Sequence, residues 1–290
     1  MAGREQLPGV RHVVAVASGK GGVGKTTVTV NLALALQQAG SRTGVFDADV
    51  YGPNVPRMLG VHQRRRRNES YVPVVRPAGA HGKVAPLERF GLKLMSTGLL
   101  MGEDQVINPP PDAVGQVVVQ TLREVTWGEL DILLLDLPPS AGQPQEELLR
   151  FVQMSGVIIV TTPQDLSLLD AGRSLRLFQQ AGVPILGIVE NMSYFICPDC
   201  GGRHEIFQRA EQWLPPALAG MPVLGRIPLT PLISQSINQA NPLVHEQPES
   251  VQAAAFGEIA TALQQRLAGY PAVRRVGGQA RSEIQLDSLE

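Results

Sequence analysis

Short apolar runs rich in β-branched residues recur along the chain at His12 to Ala17, Thr43 to Phe46, Leu92 to Met95, Ile132 to Leu135, Val157 to Val160, Ile185 to Val189 and Val223 to Leu224. They are continuous and do not alternate with polar positions, which is the pattern of strands covered on both faces. Helical periodicity fills the intervals over Thr27 to Gln38, Ala113 to Val125, Leu166 to Ala181 and Gln252 to Leu267. Two of these helices run into Ala39-Gly40 and Ala181-Gly182, where glycine can adopt the left-handed conformation that closes a helix. The alternation predicts an α/β fold: a doubly wound, mostly parallel sheet with helices on both faces. No repeat or linker divides the chain. The expected organisation is an N-terminal extension over residues 1–10, one domain over 11–269 and a disordered polar tail over 270–290. Residues 61–90, Pro109-Pro110-Pro111 and the loop around residues 197–200 read as irregular.

Composition narrows the function. The 290 residues are 43% apolar, enough for a sizeable core. A formal net charge of −1 gives no general basic field for nucleic acid or anionic lipid, and the run Arg64-Arg65-Arg66-Arg67 reads as a solvated loop. No stretch approaches the roughly 20 apolar residues of a membrane helix, and residues 1–10 lack a signal-peptide core. The expectation is a cytoplasmic protein without nucleic-acid or membrane partners.

The stretch AVASGKGGVGKTTVTVNLALAL, residues 15–36, satisfies two glycine patterns at once. Gly19-x-Gly21-x-x-Gly24 is a dinucleotide fingerprint, and Asp47 and Asp49 stand near the acidic position that fold expects. Gly19-x4-Gly24-Lys25-Thr26 is a triphosphate cradle. Lys25 and Thr26 favour the second, because a lysine at the helix start reaches the β and γ phosphates and a hydroxyl there ligates Mg²⁺. So does Asp136, which ends an apolar strand where a carboxylate can hold the magnesium shell. Gly19, Lys20, Gly21, Gly22, Val23, Gly24, Lys25, Thr26 and Thr27 are therefore expected to cradle ATP with Mg²⁺. Asp49 is the candidate for orienting the attacking water, and Asp47 for supporting the magnesium or the loop.

The two cysteines, Cys197 and Cys200, are separated by two residues, a spacing that indicates metal or redox chemistry in a reducing compartment. Pro198 and Gly201 favour a tight exposed knuckle, and Gly201-Gly202 discourages the helix start of a thioredoxin-type pair. Two thiolates complete neither a zinc site nor a 4Fe-4S site, but a symmetric dimer supplies two more. The residues leave open a bridging 4Fe-4S cluster, a bridging Zn²⁺ ion, a mononuclear zinc site with His204, and a free dithiol.

KGGVGKT resembles the deviant Walker A loop of the MinD, ParA and nitrogenase-iron-protein ATPases. That resemblance implies a homodimer in which Lys20 reaches the partner's nucleotide, so that Lys20, Lys25 and Asp49 form the catalytic set; taken alone, Lys20 equally reads as a solvated loop lysine. From Leu7 to about residue 268 the chain resembles the Mrp/ApbC family of iron-sulfur cluster carrier ATPases, through LPGVRHVVAVASGKGGVGKTT, DADVYGPNVPRMLG, WGELDILLLDLPP, VIIVTTPQDLSLLDAGR and GIVENMSYFICPDCG. The resemblance implies that Cys197 and Cys200 of two subunits bind a labile bridging 4Fe-4S cluster and pass it to apo iron-sulfur proteins. It also implies that Asn191 reads the adenine edge and that Gly52-Pro53 is a switch segment.

The chain departs from that family at Ser140-Ala141-Gly142-Gln143, where an acid is expected, at Ile107-Asn108-Pro109, at QRAEQWLPP and at Thr230. Slow hydrolysis is the expected consequence. The extra N-terminal domain of many bacterial members and the N-terminal cysteine cluster of one eukaryotic type are not expected here. The competing readings are a MinD/ParA-type positioning ATPase, a nitrogenase-like reductase and a zinc-stapled nucleotide-binding dimer. The acidic ending RSEIQLDSLE argues against membrane positioning. A reductase of that type would draw its cysteines from well-separated loops.

Overall fold

The computed structural model describes residues 4–61, 77–78, 83–99, 111–139, 143–197, 199–207 and 215–270. Arg64 to Arg67, Ile107 to Pro109, Ser140 to Gly142, most of QRAEQWLPP and the tail beyond residue 270 lie outside the described residues.

The seven apolar runs and a short eighth strand form one sheet. Its strands are β1 (Val10–Ser18), β2 (Thr43–Asp47), β3 (Leu87–Arg89), β4 (Leu92–Ser96), β5 (Leu130–Asp136), β6 (Gly156–Thr161), β7 (Ile185–Glu190) and β8 (Val223–Arg226). Across the sheet they run β8-β7-β6-β1-β5-β2-β4-β3, parallel throughout except for the antiparallel β3–β4 edge. All of β6 is buried, and in β5 only Asp131 is partly exposed, as continuous apolar runs require.

The helices of eight or more residues are α1 (Lys25–Gln38), α2 (Pro111–Glu124), α3 (Gln143–Phe151), α4 (Asp165–Gln180), α5 (Pro231–Asn238) and α6 (Val251–Ala268). Helix α1 packs on β2 and β5 with α6 beside it, whereas α4 covers β6 and β1. Nearly every residue of α1 is buried, so it has no polar face. Its Asn31 is satisfied within the core: Nδ2 donates to the Thr27 carbonyl at 2.9 Å, and Oδ1 accepts from the Val244 amide at 3.1 Å.

Several elements differ from the sequence expectation. Helix α1 begins two residues early, at Lys25, because Gly24 takes φ 83 at the N-cap position and the chain turns directly into the helix. Strand β3 lies inside the segment read as irregular; its three residues are too few to show a period. Helices α3 and α5 were not expected, being short and opening on proline-containing stretches that resemble turns. The described part of the N-terminal extension, residues 4–10, is bonded to the domain. Leu7 is buried, the Glu5 amide donates to the Phe151 carbonyl at 2.7 Å and the Glu5 carbonyl accepts from Gln153 at 2.9 Å.

Register places the chemistry at one edge. Asp47 stands opposite Asp136 in the β2–β5 pairing, and Val16 stands opposite Asp136 in the β1–β5 pairing. The carboxyl ends of three adjacent parallel strands therefore converge where the loop after β1 enters α1, the crevice in which such sheets bind ligands. Because Leu134 is fully buried in β5 while Leu166 on α4 is 70% exposed, the two leucines should respond differently to truncation. Leu134→Ala is expected to cost about 2–5 kcal/mol and Leu166→Ala less than about 0.5 kcal/mol, read from urea denaturation midpoints.

Candidate functional site

The loop from Gly19 to Gly24 is shaped by contacts that only glycine permits at two positions. A Cβ on Gly19 would stand 2.0 Å from the Asp170 carbonyl carbon, so the start of α4 presses directly on the loop. A Cβ on Gly24 would stand 2.2 Å from Asn191 Nδ2, and Gly24 is also left-handed. No side chain caps α1, which leaves its first backbone N–H groups facing the loop. Such N–H groups, with the positive end of the helix dipole, form an anion site.

Behind the loop lies a buried charge cluster. Lys25 Nζ sits 2.8 Å from Asp136 Oδ1, with Lys25 6% exposed and Asp136 fully buried. Thr26 Oγ1 donates to Asp136 Oδ2 at 2.7 Å, and Thr29 Oγ1 donates to Asp136 Oδ1 at 2.7 Å. A buried carboxylate is tolerable only when paired and hydrogen-bonded, and Asp136 has a cation and two hydroxyls. Sequence reading missed Thr29. The signal was present in its spacing, three residues after Thr26 and therefore on the same side of α1.

Asp47 is also fully buried. Its Oδ1 accepts from the Asp49 amide at 3.1 Å, and its Oδ2 accepts from the Val55 amide and the Ser96 hydroxyl, each at 3.2 Å. Burial, followed by the nearby Asp136 charge, pushes the Asp47 carboxyl up to about 8, against the opposing pull of Lys25 and the backbone N–H donors. Asp49 lies at the rim, 9% exposed, with Oδ1 accepting from the Gly52 amide at 3.1 Å. Its carboxyl is raised by burial, with Lys25 and the Gly52 amide opposing. Asp47 thus braces the segment running through Gly52-Pro53 to Val55, and Asp49 faces its turn. Ser96 and the Val55 amide, both missed in the sequence, complete this brace.

Lys20 is half-buried at the loop and makes no ion pair among the described residues; the Ser18 hydroxyl donates to its carbonyl at 3.0 Å. Asn191 Nδ2 donates to the Val23 carbonyl at 2.8 Å. Its amide thereby braces the phosphate loop. Val23 and the remaining loop glycines fall within the same loop, and Thr27 lies in the first turn of α1.

The cysteines are carried on a two-stranded ribbon in which Phe195–Ile196 pairs antiparallel with Arg203–His204. The Cys197 amide donates to the Gly202 carbonyl and the Gly201 amide donates back to the Cys197 carbonyl, both at 2.9 Å. Gly201, at φ 69, makes this knuckle possible. Cys197 is half-buried and Cys200 exposed. Backbone N–H groups of Cys200 and Asp199, then the Cys200 thiol, lower the Cys197 thiol below its ordinary range and favour the thiolate that ligates metal. Among the described residues no three His, Cys, Asp or Glu side chains gather as a metal set. No described helix is long and apolar enough to cross a membrane.

Comparison with known proteins converges on the same chemistry. Residues 9–264 match a ParA family model described as "NUBPL iron-transfer P-loop NTPase". The chain is 42% identical over 263 residues to an iron-sulfur cluster carrier protein of Deinococcus radiodurans, covering 89% of this chain and 70% of that one. It is 39% identical over 256 residues to an Arabidopsis thaliana mitochondrial iron-sulfur protein required for NADH dehydrogenase, covering 88% of this chain and 78% of the other. Among solved structures it resembles an ADP-bound nucleotide-binding protein of Archaeoglobus fulgidus, with TM-score 0.65, 28% identity and coverage of 85% and 92%. It also resembles Mg-ADP-bound MinD of Pyrococcus horikoshii, with TM-score 0.64, 26% identity and coverage of 90% and 98%. On these matches, the chain belongs to the Mrp/ApbC-type iron-sulfur cluster carriers within the ParA/MinD family of P-loop NTPases.

Proposed function

We propose that this protein is an ATP-hydrolysing homodimer that binds a 4Fe-4S cluster between Cys197 and Cys200 of its two subunits and delivers it to apo iron-sulfur proteins. The observation that carries this reading is the ribbon tip. It presents two thiols with no third ligand from the described residues, which is half of a four-thiolate site. A twofold axis past the tip supplies the other half.

At the other site, the open N–H groups of α1 and the Lys25 ammonium bind the phosphates, with Lys25 exchanging part of its attraction to Asp136 for the anion. The donor set suits magnesium, a hard cation that prefers hydroxyl and carboxylate oxygens: Thr26 Oγ1 and Asp136 Oδ2 stand 2.7 Å apart at the loop. Thr26 would hold the ion with Asp136 in its shell; when bound, the ion neutralises phosphate charge. Asp49, at the rim, orients the attacking water. Lys20 from the partner offsets charge developing on the transferred phosphoryl only when the dimer is closed.

Three outcomes test this reading. Anaerobic reconstitution with iron and sulfide should give roughly four irons per dimer and a visible chromophore that Cys197→Ala loses. Zinc occupancy without transferable iron would contradict it. In nucleotide-binding and phosphate-release assays, Lys25→Ala should abolish ATP binding, whereas Lys20→Ala should keep binding and lose most hydrolysis; equal loss of binding in both contradicts the partner-reaching role of Lys20.

The third outcome is a pH dependence. The native state keeps a proton on Asp47 up to about pH 8, whereas the unfolded chain releases it near the ordinary carboxylate value. Between about pH 4 and 8 the native state therefore binds more protons, and the Asp47 contribution, complete below that window, is lost as pH rises through it. In EDTA and without nucleotide, melting temperature should fall more steeply from pH 5.5 to 8 in the wild type than in Asp47→Asn. Parallel profiles would refute the buried proton.

A further inference from the structure

A short bonded strap joins the phosphate loop to the cysteines. At its start Asn191 Nδ2 holds the Val23 carbonyl at 2.8 Å, and the Asn191 amide nitrogen donates to Thr161 at the end of β6, also at 2.8 Å. Met192 follows at φ 54, a left-handed backbone that side chains rarely adopt and that its surroundings must enforce. Next, the Ser193 hydroxyl donates to the Glu190 carboxylate while its amide donates to the Ile227 carbonyl at 2.9 Å. The Leu229 amide donates to the Tyr194 carbonyl at 2.7 Å, and Phe195 bridges to Leu229 on one side and pairs with His204 of the ribbon on the other. Cys197 is two residues further on.

The strap has room on one side. A cavity of about 260 Å³ lies where Glu190, Ser193 and Arg226 at the sheet edge face Arg203 and Glu205 of the ribbon. Ser193 is itself buried, so this contact is built into the packing and does not hang in solvent.

We propose that Asn191 to Phe195 is a positioning strap that couples nucleotide occupancy of the phosphate loop to the presentation of Cys197. It rests on the reading that the loop binds ATP. Phosphate bound by the loop fixes the Val23 peptide that Asn191 holds. The strain at Met192 and the Ser193–Glu190 bond carry that change to the ribbon, through the backbone bonds of Ser193 to Ile227 and of Tyr194 to Leu229. Coupling of this kind is reciprocal, so the state of the cysteines also alters nucleotide affinity. It acts through a bonded element that both sites bias, which is the condition for a physical route between them.

The test uses cluster-free full chain, iodoacetamide as probe and peptide-resolved mass spectrometry of Cys197 alkylation with and without saturating Mg-ATP. In the wild type, ATP should change the alkylation rate by about fivefold or more. Ser193→Ala and Met192→Gly, neither in the binding machinery, should bind ATP like the wild type and lose most of that change. A wild-type rate indifferent to ATP overturns the strap. So does a full response retained in both variants, which would mark simple occlusion of the thiols by dimer closure. Iron content does not enter the measurement, so its failure and that of the carrier reading are separately visible.

Discussion

The site depends on keeping one ionised carboxylate inside the sheet. Asp136 ends a strand with no solvent contact, and it is held by Lys25 at 2.8 Å and by the hydroxyls of Thr26 and Thr29 at 2.7 Å each. Losing Lys25 would leave that buried charge uncompensated, a cost of several kcal/mol. All three partners come from the first turns of α1. The cluster therefore ties the direction of that helix to β5, and through it fixes where the helix amino end points. The phosphate cradle is a consequence of satisfying Asp136 as much as of the glycines before it.

A second carboxylate so close cannot share the same solution. Asp47 stands opposite Asp136 in the pairing of β2 with β5, and the neighbouring cation, Lys25, is already engaged with Asp136. Protonation of Asp47 relieves the repulsion, and its three donors tie it to Asp49, Val55 and Ser96. Two acids of the same type thus take different jobs: one keeps its charge for the nucleotide side, and the other braces the segment that carries Asp49. On the opposite flank of the loop, Asn191 performs the corresponding bracing and leads into the cysteine ribbon. In this account the nucleotide and cysteine sites are two ends of one set of contacts around the loop after β1.

Much of this was legible in the sequence, for physical reasons. The central strands could be read because burial on both faces makes their residues uniformly apolar, and α1 because it follows a glycine-lysine-threonine turn. Lys25, Thr26 and Asp136 could be read because phosphate chemistry fixes their types and spacing. Strand β3 and helices α3 and α5 could not, since they are short and their formation rests on packing against elements distant in sequence. Ser96 and the bracing use of Asn191 were hidden for the same reason: a hydroxyl or amide on a strand end looks alike whether it meets solvent or a buried carboxylate 49 residues away. The Cys-x3-His204 spacing was legible in the sequence, and the antiparallel ribbon pairs His204 with Phe195 next to the cysteine turn.

The central claim is that nucleotide binding and a shared cluster belong to one symmetric assembly. Native mass spectrometry of the anaerobically reconstituted protein with Mg-ATP tests it most directly. The account predicts a dimer carrying a mass equal to four irons and four sulfides together with two nucleotides, and a twofold-symmetric assembly that loses the cluster mass on separating into subunits. A monomer that holds the metal by itself, or a dimer whose only metal is zinc, would contradict it.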